Sequence, residues 1–127
     1  MQNTGYITSI DGNTYVYTFV AQNGMMEASY QGFDWDAANT DKCQSHGVSI
    51  KEIESALVSN TLVMMPDTKH SKDEDRYFAA CQTIQGRDLF VVFTFRMVAG
   101  RKLLRPITAR YMHRKEIERY GERHTKI

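Results

Sequence analysis

Three arginines stand at or near the ends of three successive apolar segments in the second half of the chain: Arg76, Arg96 and Arg110. A guanidinium keeps its charge and presents a fork of N–H donors that matches two phosphate oxygens. Because strand ends in an antiparallel sheet can meet at one edge, the pattern predicts that these side chains converge and clamp a phosphate. The alternative is that they form salt bridges at the rim of the fold with Glu74, Asp75 or Glu116.

A histidine and a carboxylate lie close to the first of these arginines. His70 falls in a polar, charged stretch between Asp67 and Asp75 that predicts a loop, and an imidazole there is suited to general acid or base catalysis near neutral pH. The alternative is a surface residue or a hydrogen-bonded loop anchor. Glu74 lies two residues before Arg76, on the same face of an extended chain, which favours a role in orienting the arginine.

Charge is distributed unevenly along the chain. Residues 86–127 hold eleven Lys or Arg against four Asp or Glu, whereas residues 1–85 hold five against eleven. Clustered basic residues release counterions when they bind a nucleic acid backbone, so the basic third predicts a surface for RNA or DNA phosphates. The alternative is that the two parts neutralise each other within one fold.

Length and cysteine content indicate a single compact domain. A chain of 127 residues with 42% hydrophobic content can bury a core without disulfides or a structural metal. Cys43 and Cys81 are far apart in the sequence, which predicts free thiols in a reducing, cytoplasmic compartment. Cys43 and His46 have the spacing of half a metal site, but no second half-site follows, and the sequence predicts neither a metal nor another cofactor. His46 is expected to cap a helix C-terminus.

The first half of the chain predicts strands followed by helices. Strands are expected over residues 6–10 and 14–20, joined in a hairpin by a turn at Asp11, Gly12 and Asn13, with a third short strand over residues 26–30. Asp36 is expected to cap a helix that ends at His46 and Gly47. Ser49 and Glu52 have the spacing of a capping box, which predicts a second helix.

The second half predicts an antiparallel meander. Apolar runs over residues 76–84, 87–96 and 103–109 favour three strands, and residues 113–122 favour a C-terminal helix that packs through Ile117 and Tyr120. Pro106 lacks an N–H donor, so its strand is expected at a sheet edge or with a bulge there. Together these elements indicate an α+β two-layer domain.

Six ordered motifs between Phe33 and Tyr120 resemble the BrnT family of toxins. The motifs are Phe33-x-Trp35-Asp36, His46-Gly47-Val48-Ser49, Asp67-x-x-His70-Ser71-x-x-Glu74-x-Arg76, Gly86-Arg87, Val91-Val92-Phe93-Thr94-x-Arg96, and Arg105-x-Ile107-Thr108-Ala109-Arg110 with Glu116 and Tyr120. They occur in the order and close to the spacing of the family. The resemblance predicts a toxin domain over residues 33–127, preceded by a β-hairpin extension over residues 1–32 that is dispensable for the chemistry.

The resemblance implies a RelE-like fold, with two helices packed on an antiparallel sheet and a C-terminal helix. It also implies an endoribonuclease toxin of a type II toxin-antitoxin system that cleaves RNA without metal and inhibits translation. The implied partner is a BrnA-like ribbon-helix-helix antitoxin in a hetero-oligomer, with DNA contacted only through that complex. The alternative is a catalytically silent relative that binds an antitoxin or nucleic acid without cleavage.

The resemblance also bears on individual residues. Tyr120 is similar to a C-terminal tyrosine that stacks a base or assists proton transfer in RelE-like nucleases, with core packing beside Ile117 as the alternative. Arg105 belongs to a family motif, although strict alternation places it opposite to Arg110 unless a bulge at Pro106 intervenes. Four further basic residues are expected to bind the RNA backbone or to form solvated surface: Arg101, Lys102, Arg114 and Lys115.

This chain departs from the family pattern at two positions of the predicted first helix, which lie one turn apart. Family members commonly carry Lys where this chain has Ser45, and Asn where it has Lys42. The missing cation at Ser45 favours the catalytically silent alternative slightly.

Overall fold

A computed structural model of the protein describes residues 5–9, 11–21, 24–67, 69, 72 and 74–120, without the side chains of residues 19–21, 24–26 and 120. The described residues form a mixed α+β fold of two antiparallel sheets and three helices. The predicted α+β class is therefore confirmed. None of the helices in these ranges is long and apolar enough to cross a membrane.

The first sheet is formed by the N-terminal strands. It contains β1 (Gly5–Ser9), β2 (Tyr15–Ala21) and β3 (Gly24–Tyr30) in that order. The Asp11 carboxylate accepts hydrogen bonds from the backbone N–H groups of Asn13 and Thr14 at 2.9 and 2.6 Å, which closes the turn between β1 and β2. The described N-terminal strands thus form a three-stranded sheet, which confirms the third short strand predicted over residues 26–30.

Two helices follow, each with the predicted cap. In α1 (Ala37–Gln44), the Asp36 carboxylate accepts from the Asn39 N–H, and the Asn39 side chain accepts from the Asp36 N–H. In α2 (Ile50–Leu57), Ser49 and Glu52 form the same reciprocal pair. These side chains satisfy N–H groups that have no partner within the helix.

The second sheet is a meander of β4 (Val63–Pro66), β5 (Tyr77–Gln82), β6 (Asp88–Val98) and β7 (Arg101–Tyr111) in sequential order. The strand β4 was not predicted; it has only four residues and ends at Pro66. The helix α3 (Arg114–Tyr120) follows β7.

A β-bulge interrupts the pairing of β6 with β7 at the predicted place. Val92 pairs with Thr108 and Phe93 with Pro106, so Ile107 is an extra residue. Because β7 is also an edge strand, both expectations for Pro106 are confirmed. Asn39 of α1 donates to the Pro106 carbonyl at 2.8 Å, which holds the helix against this strand.

The core lies between the first sheet, α2 and one face of the second sheet. Tyr17 and Tyr30 of the first sheet are fully buried in it. The Tyr17 hydroxyl accepts from the Met64 N–H and the Tyr30 hydroxyl donates to the Leu57 carbonyl, both at 3.1 Å. The first 32 residues therefore contribute side chains to the same core as the rest of the chain.

Candidate functional site

An open pocket of about 400 Å³ lies on the second sheet, on the face opposite to the core. Its floor contains the half-buried side chains of Phe78, Phe90 and Val92, whose neighbours in sequence point into the core. Lys42 and Arg76 line its wall. The pocket therefore combines an apolar, aromatic floor with two cations.

Strand register explains the aromatic floor. Phe78 pairs with Val92, and the adjacent outward pair on the same two strands is Ala80 with Phe90. Phe78 and Phe90 are therefore diagonal neighbours, and their ring centroids lie 5.1 Å apart with an interplanar angle of 20°. This offset stacked arrangement is favourable for aromatic pairs.

The bulge completes another side of the pocket. Ile107 and Thr108 both line it, although consecutive residues of a regular strand point to opposite faces. The extra residue in β7 allows both to approach the pocket. The bulge thus adds a hydroxyl and an aliphatic group beside the phenylalanines.

Lys42 was not predicted as a site residue. It lies in the last turn of α1, the helix anchored by the cap at Asp36 and by the bond from Asn39 to Pro106. Ser45, where the family resemblance led us to expect a lysine, is the exposed C-cap of the same helix and donates to the Lys42 carbonyl at 2.8 Å. The cation on this helix therefore lies one turn earlier than the resemblance suggested.

The backbone at Arg76 is fixed by hydrogen bonds on both sides of the residue. Its carbonyl accepts from the Asp67 N–H at 2.8 Å, and the buried Thr94 hydroxyl donates to the Asp75 carbonyl at 2.7 Å. These bonds fix the path of the chain into β5. Glu74 is exposed. His70 lies outside the described residues, and its role stays a prediction.

Arg110 lies beside the pocket and is engaged by a carboxylate. Its guanidinium carbon lies 5.1 Å from the Phe90 ring centroid, and its two terminal nitrogens donate to both oxygens of Glu116 at 2.6 and 2.7 Å. The hydrogen bonds from Arg110 lower the pKa of Glu116 to about 2. This pair is the salt bridge that the sequence analysis gave as the alternative for Arg110.

Arg96 does not converge with Arg110, so that geometric prediction is wrong. Arg96 pairs with Leu103, whereas Arg110 pairs with Phe90. The two positions are separated by six residues of β6, or roughly 20 Å along an extended strand. The reason is that β6 and β7 are antiparallel neighbours joined by a hairpin, so their C-terminal ends lie at opposite ends of the strand pair. Arg96 is exposed and is not among the described residues that line the pocket.

Arg105 binds protein carboxylates. The bulge places it on the same face as Arg110, because their partners Thr94 and Phe90 are four residues apart on β6. Its side chain is only 12% exposed and forms ion pairs with Asp34 at 3.2 Å and Asp36 at 3.0 Å. It ties the segment before α1 to β7.

The remaining predicted RNA-binding residues are not among the described residues that line the pocket. Arg101 donates to the Gln31 carbonyl at 2.8 Å, and the Lys102 ammonium lies 4.5 Å from the Phe95 ring centroid. Arg114 and Lys115 are exposed on α3. Tyr120 is the last residue of α3, and its side chain lies outside the described part of the structure.

The thiols are buried. Cys43 and Cys81 are free cysteines in the core, as predicted. Burial raises the pKa of the Cys43 thiol to about 11, and it raises the pKa of Cys81 as well. Both remain protonated at neutral pH and are poor nucleophiles. Among the described side chains, no group of three or more His, Cys, Asp or Glu is arranged to hold a metal ion.

Comparison with known proteins gives one family. The family model described as "Ribonuclease toxin, BrnT, of type II toxin-antitoxin system" matches residues 35–116. The matched range contains every described residue that lines the pocket, together with Arg110 and Glu116. Among curated proteins, none matches the chain significantly.

Proposed function

Because the chain belongs to the BrnT family of ribonuclease toxins of type II toxin-antitoxin systems, we propose that it cleaves RNA without a metal ion at the pocket on the second sheet. The observation that carries this proposal is the presence of Lys42 and Arg76 on the wall of one pocket inside the matched region. Two cations beside one pocket suit a phosphate whose charge increases during the reaction.

The chemistry uses the RNA as its own nucleophile. The ribose 2'-oxygen attacks the adjacent phosphorus, the bond from phosphorus to the 5'-oxygen breaks, and the products carry a 2',3'-cyclic phosphate and a 5'-hydroxyl. Lys42 and Arg76 stabilise the negative charge on the non-bridging oxygens in the transition state. A charge-stabilising donor contributes roughly 10²-fold or more to the rate where it is preorganised.

Proton transfer requires groups beyond these cations. Glu116 stays ionised at neutral pH because Arg110 holds its pKa at about 2, so it supplies no proton and instead keeps the guanidinium beside Phe90. We assign general acid or base catalysis to His70, with Glu74 and Tyr120 as supporting groups. Arg96, Arg101, Lys102, Arg114 and Lys115 serve flanking phosphates of the RNA.

The family also supports a partner. The proposal includes a RelE-like mode of action, in which the toxin inhibits translation in the cytoplasm and a BrnA-like ribbon-helix-helix antitoxin forms a hetero-oligomer with it. An antitoxin segment that is acidic would compete with RNA for Lys42 and Arg76. DNA would be bound only through the antitoxin of the complex.

The second candidate function is a catalytically silent module that binds an antitoxin or RNA. It is favoured by two arginines whose guanidinium groups already form ion pairs with protein carboxylates. Arg110 binds Glu116, and Arg105 binds Asp34 and Asp36. Expression without a partner separates the two functions. An active toxin arrests growth and the Arg76→Ala variant relieves the arrest, whereas a silent module accumulates as soluble protein in growing cells.

Cleavage of a labelled single-stranded RNA in the presence of a chelator tests the activity directly. We expect Arg76→Ala to lower kcat by roughly 10²-fold, because it removes a charge-stabilising donor, and Arg76→Lys to restore only part, because an ammonium lacks the paired donors. Arg96→Ala is the matched control and should weaken binding while leaving kcat almost unchanged. Equal kcat values for Arg76→Ala and the parent protein, with the fold intact, would place the reaction elsewhere.

A further inference from the structure

We propose that β1 pairs edge to edge with β1 of a second copy of this chain, so that the first sheet continues across a twofold axis into the first sheet of that copy. The strand lies in the N-terminal sheet, which precedes the family match over residues 35–116. The inference therefore does not depend on RNA cleavage.

The outer side of β1 is open. Within the described ranges, Gly5–Ser9 pairs with β2 alone, and no backbone hydrogen bond joins its other side to the rest of the chain. In an antiparallel pair, every second residue directs its N–H and C=O groups away from the partner strand. The strand β1 therefore presents backbone donors and acceptors to a further strand.

Each of the other sheet edges in the described structure has a protective feature. The chain at residues 31–34 covers β7 with backbone hydrogen bonds at 2.7, 2.9 and 3.0 Å. On β4, the Tyr17 hydroxyl accepts from the Met64 N–H, and the strand ends at Pro66. The exposed Glu27 lies in the middle of β3. Covering segments, proline and charge are means by which proteins prevent the pairing of sheet edges.

The strand β1 has none of these features. Its residues include no charge and no proline, and its register with β2 runs from Gly5 to Ser9 without a bulge. The strand is also fixed in place, because Ile7 packs against the core and pairs with the buried Tyr17. Since a preorganised edge loses little conformational freedom on pairing, β1 is suited to accept a strand.

The sequence of β1 is complementary to itself. With a twofold axis at Ile7, residues whose backbone groups point outward meet each other, and Tyr6 lies opposite Thr8 of the second copy. Tyr6 and Thr8 are both exposed, and an aromatic residue beside a β-branched one is a favourable cross-strand pair. RNA is disfavoured as the occupant, because residues 1–32 contain no Lys, Arg or His. The uncharged edge also offers a different protein no electrostatic complementarity, which favours the second copy.

Sedimentation velocity of the full chain tests the dimer. An edge of five residues buries less than the roughly 1,200 Å² of a standard interface, so we expect a Kd in the micromolar range, measured between about 1 and about 200 μM. Thr8→Lys should raise the Kd by at least about tenfold, because it places an ammonium group on the edge. Ser29→Lys is the matched control, because Ser29 is exposed in the same cross-strand row two strands away, and it should leave the Kd unchanged. Both variants should melt like the parent protein.

A mixture of two variants tests the antiparallel register. In that register the glutamate of Tyr6→Glu lies opposite the lysine of Thr8→Lys, so labelled Thr8→Lys should bind Tyr6→Glu at least about threefold more tightly than it binds itself. Equal affinities would overturn this pairing. A parent protein that stays monomeric throughout the concentration range would overturn the inference and leave the edge to a strand of another protein. A dimer that Thr8→Lys leaves intact, or that Ser29→Lys weakens equally, would overturn it as well.

Discussion

Arg110 illustrates how a neighbouring carboxylate determines what an arginine can do. Both terminal nitrogens of its guanidinium bind Glu116, which also accepts from the His113 N–H at 2.9 Å. An arginine with both of these nitrogens engaged is well positioned but has fewer donors to offer to a phosphate. In the proposed reaction, Arg76 is the better candidate for contact with the reacting phosphate because it lines the pocket itself, whereas Arg110 lies beside the pocket against Phe90.

The Arg110 and Glu116 pair predicts an acid-dependent part of the stability. The folded-state pKa of Glu116 is about 2, below the ordinary value of 4.5, so the pair contributes stability above about pH 4.5 and loses it as the pH falls towards 2. In Glu116→Gln, melting temperatures should fall less steeply across this window than in the parent protein. Glu118→Gln, at an exposed position of the same helix, is the control. Parallel curves for all three proteins would contradict the prediction.

Lys42 provides a second prediction at the residue scale. Binding of single-stranded RNA weakens with salt, and the logarithmic slope changes by about 0.7 for each phosphate that the protein neutralises. Lys42→Ala should therefore reduce the slope by about 0.7, whereas Lys51→Ala, at an exposed position on α2, should leave it unchanged. Binding titrations between low and physiological salt measure both. An unchanged slope for Lys42→Ala would show that this side chain contacts no phosphate.

At the scale of elements, local chemistry predicted most of what the structure contains. The caps at Asp36 and Ser49 and the bulge at Pro106 depend on residues close in sequence, and all three are confirmed. The pocket was not predicted, because Phe78 and Phe90 become neighbours only through strand register and Lys42 reaches them from a helix. The strand pairing that makes this pocket is also what separates Arg96 from Arg110.

The contact between α1 and β7 predicts that one substitution, at Asn39, will lower both the free energy of unfolding and the affinity for RNA. Asn39 is 4% exposed, and its amide donates to the carbonyls of Asp34 and Pro106. Asn39→Ala leaves the buried Pro106 carbonyl and the part-buried Asp34 carbonyl without that donor, which should lower the free energy of unfolding by about 1–3 kcal/mol in urea titrations. It should also weaken RNA binding, because α1 carries Lys42. Asn60→Ala, at an exposed turn, should alter neither quantity.

At the scale of the whole molecule, the N-terminal sheet and the pocket lie on opposite sides of the second sheet. The predicted domain boundary lies at residue 33, because the family pattern begins there. The first 32 residues were expected to be dispensable for the chemistry, because they contain no Lys, Arg or His. The burial of Tyr17 and Tyr30 in the common core could not be predicted from that pattern, because it depends on contacts with residues far along the chain, Met64 and Leu57. The N-terminal sheet is thus expected to act on stability and not on the chemistry.

Tyr30→Phe tests this separation in the full-length chain. The substitution keeps the buried ring and removes only the hydroxyl that donates to the Leu57 carbonyl at the end of α2. We expect the free energy of unfolding to fall by about 1–3 kcal/mol, because a buried acceptor loses its donor. The kcat for RNA cleavage, measured well below the melting temperature, should remain that of the parent protein, because the pocket lies across the sheet. Tyr6→Phe, at a position 54% exposed, is the matched control and should change neither quantity. A loss of kcat in Tyr30→Phe without a loss of stability would show that the N-terminal sheet belongs to the site.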